Sequence, residues 1–203
     1  MRHRILVLAA AALASAGLAT PASAQGINVE ILPRAGLYMP LNALTEEAEL
    51  DNVFAVGVAA ELVVPGLPFN LRANLDYANT TDIVERSAAE IVLGEATLLA
   101  VTGDVVLRPR SVAGTAHPYV LAGVGMKRYD IRLNDSAHGS LVGMDGTRTR
   151  LALHVGGGVD VRVGPLAVVL EISDYIGSVE TGDGDTRWQN DVFGMVGFRV
   201  AMF

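Results

Sequence analysis

Apolar and polar residues alternate along most of this chain, and the alternation is clearest from Arg150 to Ile176. Two alternating runs lie there on either side of Gly164-Pro165, a pair typical of tight turns. Side chains of a β-strand point alternately to opposite faces, so each run has one apolar face and one more polar face. A helix would scatter the same residues around its circumference. The stretch therefore predicts a hairpin of two long strands.

The chain contains eight such runs, and their connections alternate in kind. The runs cover residues 29–38, 54–64, 69–77, 96–108, 119–129, 150–163, 166–176 and 192–203. Short Gly- and Pro-rich turns alternate with long polar or acidic segments, of which residues 78–95 are an example. Each run has roughly the 9 to 11 residues that a tilted strand needs to cross a bilayer. We predict an all-β fold, an eight-stranded antiparallel up-and-down transmembrane β-barrel with short turns at one rim and long loops at the other.

The first 24 residues have the layout of a secretory signal peptide. The basic start Arg2-His3-Arg4 precedes an apolar stretch, and Ala22-Ser23-Ala24 supplies the small residues of a cleavage site. The apolar stretch is too short to fit a retained membrane anchor well. We predict a signal peptide over residues 1–24, cleavage after Ala24, and one barrel domain over residues 25–203.

Composition narrows the class of protein further. Hydrophobic residues make up 51% of the chain and mean hydropathy is +0.38, which is high for a soluble domain. The chain has no cysteine, so disulfides and thiolate metal sites are excluded. Its formal net charge is −7, whereas a phosphate backbone requires a basic surface. We therefore expect no nucleic-acid partner, and no motif in the chain indicates a cofactor or a metal.

Aromatic residues gather near the predicted strand ends, where membrane barrels carry aromatic girdles. We predict that six of them lie at the membrane interfaces: Tyr38, Tyr77, Tyr129, Tyr175, Trp188 and Phe203. The alternative is that aromatics close strands in many β proteins, since simple parity turns Tyr38 and Tyr175 inward.

Charged residues occupy the parity opposite to the aliphatic one. If lipid covers the aliphatic face, this set points into the barrel: Glu61, Arg72, Asp76, Asp104, Arg108, His154, Asp160, Arg162 and Glu171. Charges of both signs in a narrow interior must pair, because an isolated buried charge is very costly. Eight strands enclose only enough space for side chains, so the pattern favours a plugged interior over a small gated channel.

The segment Pro118-Tyr119-Val120-Leu121-Ala122-Gly123-Val124-Gly125 resembles the small outer-membrane β-barrel family, the OmpA-like and OmpX-like barrels of Gram-negative bacteria. Phe203 is similar to the terminal aromatic that the barrel assembly machinery recognises in that family. The resemblance covers the whole chain after the signal peptide. It implies location in the outer membrane, contact with its lipid and lipopolysaccharide, and assembly through the C-terminal strand.

Two classes of function compete for this architecture. The first is a structural or surface-interaction protein of the outer membrane that acts through four long loops, with a surface partner that the sequence does not identify. The second is a soluble periplasmic barrel, similar to a lipocalin, that binds an apolar ligand. The second inverts the faces, because the aliphatic parity would line the cavity and the charged parity would meet water.

Three short patterns suggest other chemistry, and each has a simpler explanation. His138-Gly139-Ser140 fits the His-x-Ser pair of a barrel that hydrolyses lipid, but no partner acid is identifiable, so we expect no enzyme. Asp183 and Asp185 lack the distal Glu of a Ca²⁺ loop, which favours a solvated turn. Gly156-Gly157-Gly158 has strand on both sides and is no dinucleotide fingerprint, so these glycines favour bending or close approach.

Overall fold

A computed structural model describes residues 28–46, 48–85, 88–109, 115–134, 141, 143–163, 166–180, 184 and 186–201. The predicted signal peptide, the Gly164-Pro165 turn, the His138 to Ser140 segment, Asp183 with Asp185, and Phe203 lie outside these residues. The described residues form nine strands: β1 Asn28–Pro40, β2 Ala48–Leu50, β3 Val53–Val63, β4 Phe69–Glu85, β5 Ala88–Leu107, β6 Ala116–Leu133, β7 Gly146–Val163, β8 Leu166–Glu180 and β9 Thr186–Ala201.

Eight of these strands close into a barrel. Strands β3 to β9 pair in sequence order, and β1 pairs antiparallel with both β3 and β9, which joins the two ends of the sheet. All the pairings are antiparallel, so the predicted eight-stranded up-and-down barrel is confirmed. In the part of the chain that the structure describes, no helix is long and apolar enough to cross a membrane.

The register of the strands sets the shape of the barrel. Registered pairs followed from Val155 through β8 and β9 reach β1 at Met39, whereas pairs followed through β6, β5, β4 and β3 reach it at Val29. The two arrival points are ten residues apart along β1. A stagger of this kind requires strands tilted by roughly 35 to 45° from the barrel axis, which leaves an interior just wide enough for side chains.

The two faces of the barrel wall differ sharply in polarity. On β5, Val101 and Val105 point outward and are exposed, whereas Thr102 and Asp104 point inward and are buried. Exposed apolar side chains cover the outside of the other strands as well, including Leu71, Leu75, Val120, Val124, Met126, Leu151, Leu153, Leu170, Ile172, Val196 and Phe198. This arrangement contradicts the soluble alternative, which requires the aliphatic residues inside and the charges outside.

At the loop rim the strands extend further than the sequence suggests. We expect a polar loop over residues 78–95, but β4 runs to Glu85 and β5 begins at Ala88, so that prediction is wrong. Thr81 pairs with Ala96 and Ile83 with Gly94, across bulges that interrupt the ladder. The physical reason is that apolar residues alternate with the polar ones, since Ile83 and Leu93 are fully buried inside the extended hairpin.

A small apolar core lies at the loop rim. The short strand β2 adds to the edge of β4 by pairing with residues 83–85. Buried apolar residues from loops and strand extensions meet there: Leu44, Ala48, Leu50, Ile83, Leu93, Ile131, Leu141, Met144 and Val179. We call this cluster the loop-side core. It is continuous with an aromatic cluster inside the barrel, which places apolar packing between the barrel interior and the loop side.

Candidate functional site

The structure places most of the predicted charged set inside the barrel. Seven of the nine residues are buried: Glu61, Arg72, Asp76, Asp104, His154, Asp160 and Glu171. Arg108 also points inward, with its side chain 23% exposed at the short-turn rim. Arg162 is exposed, so its placement in the interior is wrong. It lies two residues beyond Asp160, at the end of β7, where the barrel interior gives way to solvent.

Arg72 lies at the centre of the charged interior. Its guanidinium donates to Glu61 Oε2 through Nε at 3.1 Å and Nη2 at 3.0 Å, and to Glu171 Oε2 through Nη1 at 2.5 Å. The hydroxyl of Tyr119 donates to the same Glu171 oxygen at 2.6 Å, and the Arg72 guanidinium lies 5.0 Å from the centre of the Tyr119 ring. One arginine thus joins carboxylates that come from β3 and β8.

Arg34 is an interior residue that our sequence prediction missed. Its guanidinium contacts both oxygens of Asp76, at 3.0 and 2.7 Å, and also binds Asn74 Oδ1 at 2.9 Å and Glu171. Parity could have identified it, because Arg34 lies on the same face of the first run as Glu30. The interruption by Pro33 hid that signal.

At the short-turn rim a second group of ion pairs surrounds Glu61 and Asp160. Arg108 binds Glu61 and, through Nε, Asp160 Oδ2 at 3.3 Å. Arg199 reaches Glu61 Oε2 at 3.1 Å, Glu30 Oε2 at 2.6 Å and Asp160 Oδ1 at 3.0 Å. Because Glu61 also binds Arg72, the rim group and the central group form one connected network.

Three of the predicted interface aromatics lie inside the barrel instead. Tyr38, Tyr129 and Tyr175 are almost completely buried, so their assignment to a lipid girdle is wrong. Their inward direction follows from strand parity, and their hydroxyls have carboxylate acceptors in the interior. Trp188 is 68% exposed on the outer face, and Tyr77 lies on the outer parity of β4 with a partly buried ring.

Asp191 accepts three hydrogen bonds at the loop side of the interior. Tyr38 donates to its Oδ1 at 2.7 Å, and Tyr129 and Lys127 donate to its Oδ2 at 2.5 and 2.6 Å. Lys127 also donates to the Gln189 carbonyl oxygen at 2.8 Å. Sequence reasoning missed this group, because the small residues around Lys127 conceal the parity of β6 and Asp191 lay just outside the predicted last strand.

An aromatic layer lies beside the Asp191 group. The Tyr38 and Phe193 rings are 5.2 Å apart, and Tyr175 meets the edge of Phe193 at 5.4 Å. Tyr175 also stacks on His154 at 4.1 Å and donates its hydroxyl hydrogen to Asp76. The aromatic layer therefore lies between the charged network and the loop-side core, and is hydrogen-bonded to the network.

His154, Asp104 and Thr102 do not form a catalytic relay. Asp104 Oδ2 lies 2.8 Å from His154 Nδ1, and the Thr102 hydroxyl lies 3.2 Å from the same nitrogen. A nucleophile and an orienting acid must contact opposite ring nitrogens, and Nε2 of His154 has no hydrogen-bond partner among the described residues. In the same part of the chain, no three metal-ligating side chains form a group that could hold a metal ion.

Glycines make the room that the buried charges need. A Cβ at Gly57 would lie 1.9 Å from Asp76 Oδ1, and a Cβ at Gly123 would lie 2.0 Å from Asp104 Oδ1. Gly158 lies against the Tyr119 ring, where a Cβ would come within 2.6 Å of the ring carbon Cζ. Close approach of glycine backbone to charged side chains thus permits dense packing in a narrow barrel.

Comparison with known proteins supports the fold. Neither a protein-family model nor a curated protein sequence matches the chain. Among solved structures, Neisserial surface protein A is 16% identical with a TM-score of 0.56, over 87% of this chain and 99% of that one. A major outer membrane protein of Thermus thermophilus is 13% identical, with a TM-score of 0.59 over 88% of this chain and 100% of that one.

A third solved structure agrees with these two. The outer membrane protein OprG of Pseudomonas aeruginosa is 12% identical, with a TM-score of 0.51 over 84% of this chain and 95% of its own. Identities this low establish shared architecture rather than shared activity. The closed barrel, its apolar outer face and these likenesses together show that the chain has the fold of the small outer-membrane β-barrel proteins.

Proposed function

We propose that this protein is an integral outer-membrane barrel with a plugged interior, which acts at the cell surface through its loop side rather than as a pore or an enzyme. The observation that carries the proposal is the connected ion-pair network from Glu30 to Asp76 inside a barrel whose outer face is apolar. A barrel of this polarity is suited to a bilayer, because lipid covers the aliphatic parity and every spanning strand has its backbone paired.

The arrangement of the interior in two parts supports the proposed plug. Ion pairs fill the barrel from the short-turn rim to its middle, and the aromatic layer with the loop-side core fills the remainder. The charged side chains are held by two or more partners each at Arg34, Arg72 and Arg199. Side chains held in this way support a plug, because an eight-stranded barrel is only just wide enough for its own side chains.

The loop side supports the surface role. Beyond Gly94, where its ladder with β6 ends, β5 continues to Ala88, and β4 is its one paired strand among the described residues. Asn134 donates to the carbonyl oxygens of Leu93 and Val92 on the other edge. Ile91 and Val92 are exposed there, and exposed Asp82 and Glu95 lie nearby. An exposed edge with apolar side chains can pair with an extended segment of another protein, so we expect a partner with basic residues.

The membrane partners in this proposal are lipids and the assembly machinery. Long loops face the cell exterior in bacterial barrels, so the loop half of the apolar face would contact lipopolysaccharide. The C-terminal strand would provide the signal for insertion.

Two measurements test the proposal. The protein without residues 1–24, refolded into lipid vesicles, should migrate as a compact band that shifts on boiling. In a planar bilayer it should give no discrete conductance steps at neutral pH. A protein that stays soluble and monomeric without detergent would disprove the membrane assignment, and regular single-channel steps would disprove the plug.

A further inference from the structure

The outer face of β8 carries one ionisable residue in an otherwise apolar series. Between Leu166 and Ile176 every outward position is aliphatic except Asp174. Its neighbours along the strand and at the registered positions of β7 and β9 are apolar: Ile172, Ile176, Val155 and Val192. An ionisable side chain on a lipid-facing surface is costly, and such residues mark functional sites.

Asp174 has one hydrogen-bond partner among the described residues. Asn190 Nδ2 donates to Asp174 Oδ2 at 2.5 Å, while Asp174 Oδ1 has no hydrogen-bond partner among the described residues. A carboxylate accepts up to about four hydrogen bonds and a carboxamide nitrogen donates two. Oδ1 is enclosed by the barrel's own atoms, so the pair can accept further only through Asp174 Oδ2 and can donate through the second N–H of the Asn190 carboxamide.

The surface beside this pair has a matched ridge and groove. Ile172 is 60% exposed, and its registered neighbours on either side are Gly157 and Gly194. A shallow groove of about 320 Å³ runs over residues 157–159, 170–172 and 194–196. A protruding aliphatic side chain thus lies on the same rung as the two positions that have no side chain.

We propose that this surface, the β7–β9 face formed by Gly157, Ile172, Asp174, Asn190 and Gly194, binds a second copy of the chain in the membrane. A two-fold contact requires one patch to carry both halves of each interaction. Here the patch carries a ridge and a groove, and a hydrogen-bond acceptor and a donor. Ile172 of each copy would enter the groove beside Gly194 of the other, and Asp174 would accept from the Asn190 carboxamide across the contact.

Physical chemistry favours a protein over a lipid chain as the occupant. Lipid tails are as apolar as the barrel surface, so association in a bilayer depends on close packing at small residues and on hydrogen bonds. A hydrocarbon chain would fill the groove but offers no donor to Asp174. The inference rests on the proposed membrane insertion, but a monomer in the bilayer would overturn it and leave that insertion intact.

Disulfide trapping tests the geometry, because the chain has no cysteine of its own. Leu170→Cys places a thiol on β8 beside the groove, and Leu71→Cys places one on β4, on the opposite wall. The two leucines are equally exposed, at 45%, which makes them a matched pair. In vesicles at high lipid-to-protein ratio, mild oxidation should give covalent dimers with Leu170→Cys and not with Leu71→Cys. Equal trapping at the two positions would overturn the proposal.

Energy transfer between labelled barrels in vesicles tests the interactions themselves. Gly194→Leu fills the groove, and a Cβ there meets only Met39 Cε, at 3.3 Å, so the barrel should still fold and the dimer should be lost. Asp174→Leu should weaken association roughly tenfold, because two symmetric hydrogen bonds are removed, and Asp174→Asn should weaken it less.

The gel shift on boiling checks that each variant is folded. Energy transfer in the unchanged protein no greater than that of randomly mixed barrels would mean that only lipid occupies the groove, and would overturn the proposal. So would folded Gly194→Leu and Asp174→Leu variants that associate as well as the unchanged protein.

Discussion

Removing the Arg72 side chain should destabilise the barrel, because Arg72 lies at the centre of the ion-pair network. Replacing it with alanine leaves Glu61 and Glu171 buried without the guanidinium that joins them. Glu61 keeps Arg108 and Arg199, and Glu171 keeps Arg34, so neither carboxylate is left without a cation. Losing buried hydrogen bonds to charged groups costs about 1.5–3 kcal/mol. We therefore expect Arg72→Ala to lower the free energy of unfolding by that amount, measured by urea titration in vesicles with the boiling shift as readout.

Arg162→Ala is the matched control for Arg72→Ala. Arg162 is exposed and forms no ion pair within the described residues, so its loss should change the free energy of unfolding by no more than about 0.5 kcal/mol. Equal unfolding midpoints for the two variants would show that the interior network does not stabilise the barrel.

Gly123 and Gly103 lie on neighbouring strands, and only Gly103 has room for a Cβ. A Cβ at Gly123 would lie 2.3 Å from the Gly103 carbonyl oxygen, which cannot move as a side chain would, and 2.0 Å from Asp104 Oδ1. A Cβ at Gly103 meets nothing within 4 Å on the outer face. We expect Gly123→Ala to destabilise the barrel by about 1–3 kcal/mol.

Gly103→Ala should instead be neutral or should stabilise by up to about 1 kcal/mol, because alanine loses less backbone entropy on folding. The same urea titration compares the two variants. A Gly123→Ala barrel as stable as Gly103→Ala would contradict the requirement for glycine beneath the buried carboxylate.

Within the strands, the alternation of side chains predicted their direction better than their closeness to a rim did. The inward direction of Glu61, Arg72 and Glu171 follows from counting parity along one strand, and the structure places all three inside. The girdle assignment of Tyr38 and Tyr175 failed because it relied on their position near the rim, although parity already turned them inward. A strand has only two faces, so parity constrains direction more tightly than closeness to a rim.

The strand ends were less predictable than the strand directions. The extended β4–β5 hairpin is stabilised by the loop-side core, whose residues Leu44, Leu141 and Met144 come from distant segments of the chain. The three-residue strand β2 has no pattern of its own and exists because the edge of β4 is available. Pairings of this kind depend on long-range contacts, which a local polarity pattern does not contain.

Ile83→Asp should separate the hairpin extension from the barrel beneath it. Ile83 is fully buried in the loop-side core, and a carboxylate there has no partner in an apolar cluster. We expect protease to cleave the variant within the loop side of vesicle-inserted protein, while the compact band that shifts on boiling persists. Val92→Asp, on the exposed part of β5, is the control and should be cleaved no faster than the unchanged protein. Loss of the compact band in Ile83→Asp would show that the extension and the barrel fold as one unit.

In the plugged barrel that we propose, two barriers lie in series along the axis, beneath the loop-side core. The ion-pair network fills the short-turn half, and the aromatic layer of Tyr38, Tyr175 and Phe193 lies between it and the loop-side core. These barriers act in series, so an ion that passes one still meets the other. Desolvation is costly at the apolar barrier, and the charged barrier holds its side chains in multiple contacts.

Opening one barrier should therefore leave the barrel closed. The double variant Arg72→Ala with Glu171→Ala removes a positive and a negative charge together, so it widens the network without leaving that pair half broken. We expect it to remain silent in a planar bilayer, because the aromatic layer is intact. Tyr38→Ala with Phe193→Ala should also be silent, because the network is intact. Combining all four changes should still give no discrete conductance steps, because the loop-side core fills the loop end of the barrel; the boiling shift checks that the variant is folded. Steps in either double variant would show that the barrier removed there is needed to close the pore. Steps in the folded quadruple variant alone would show that the loop-side core does not close it.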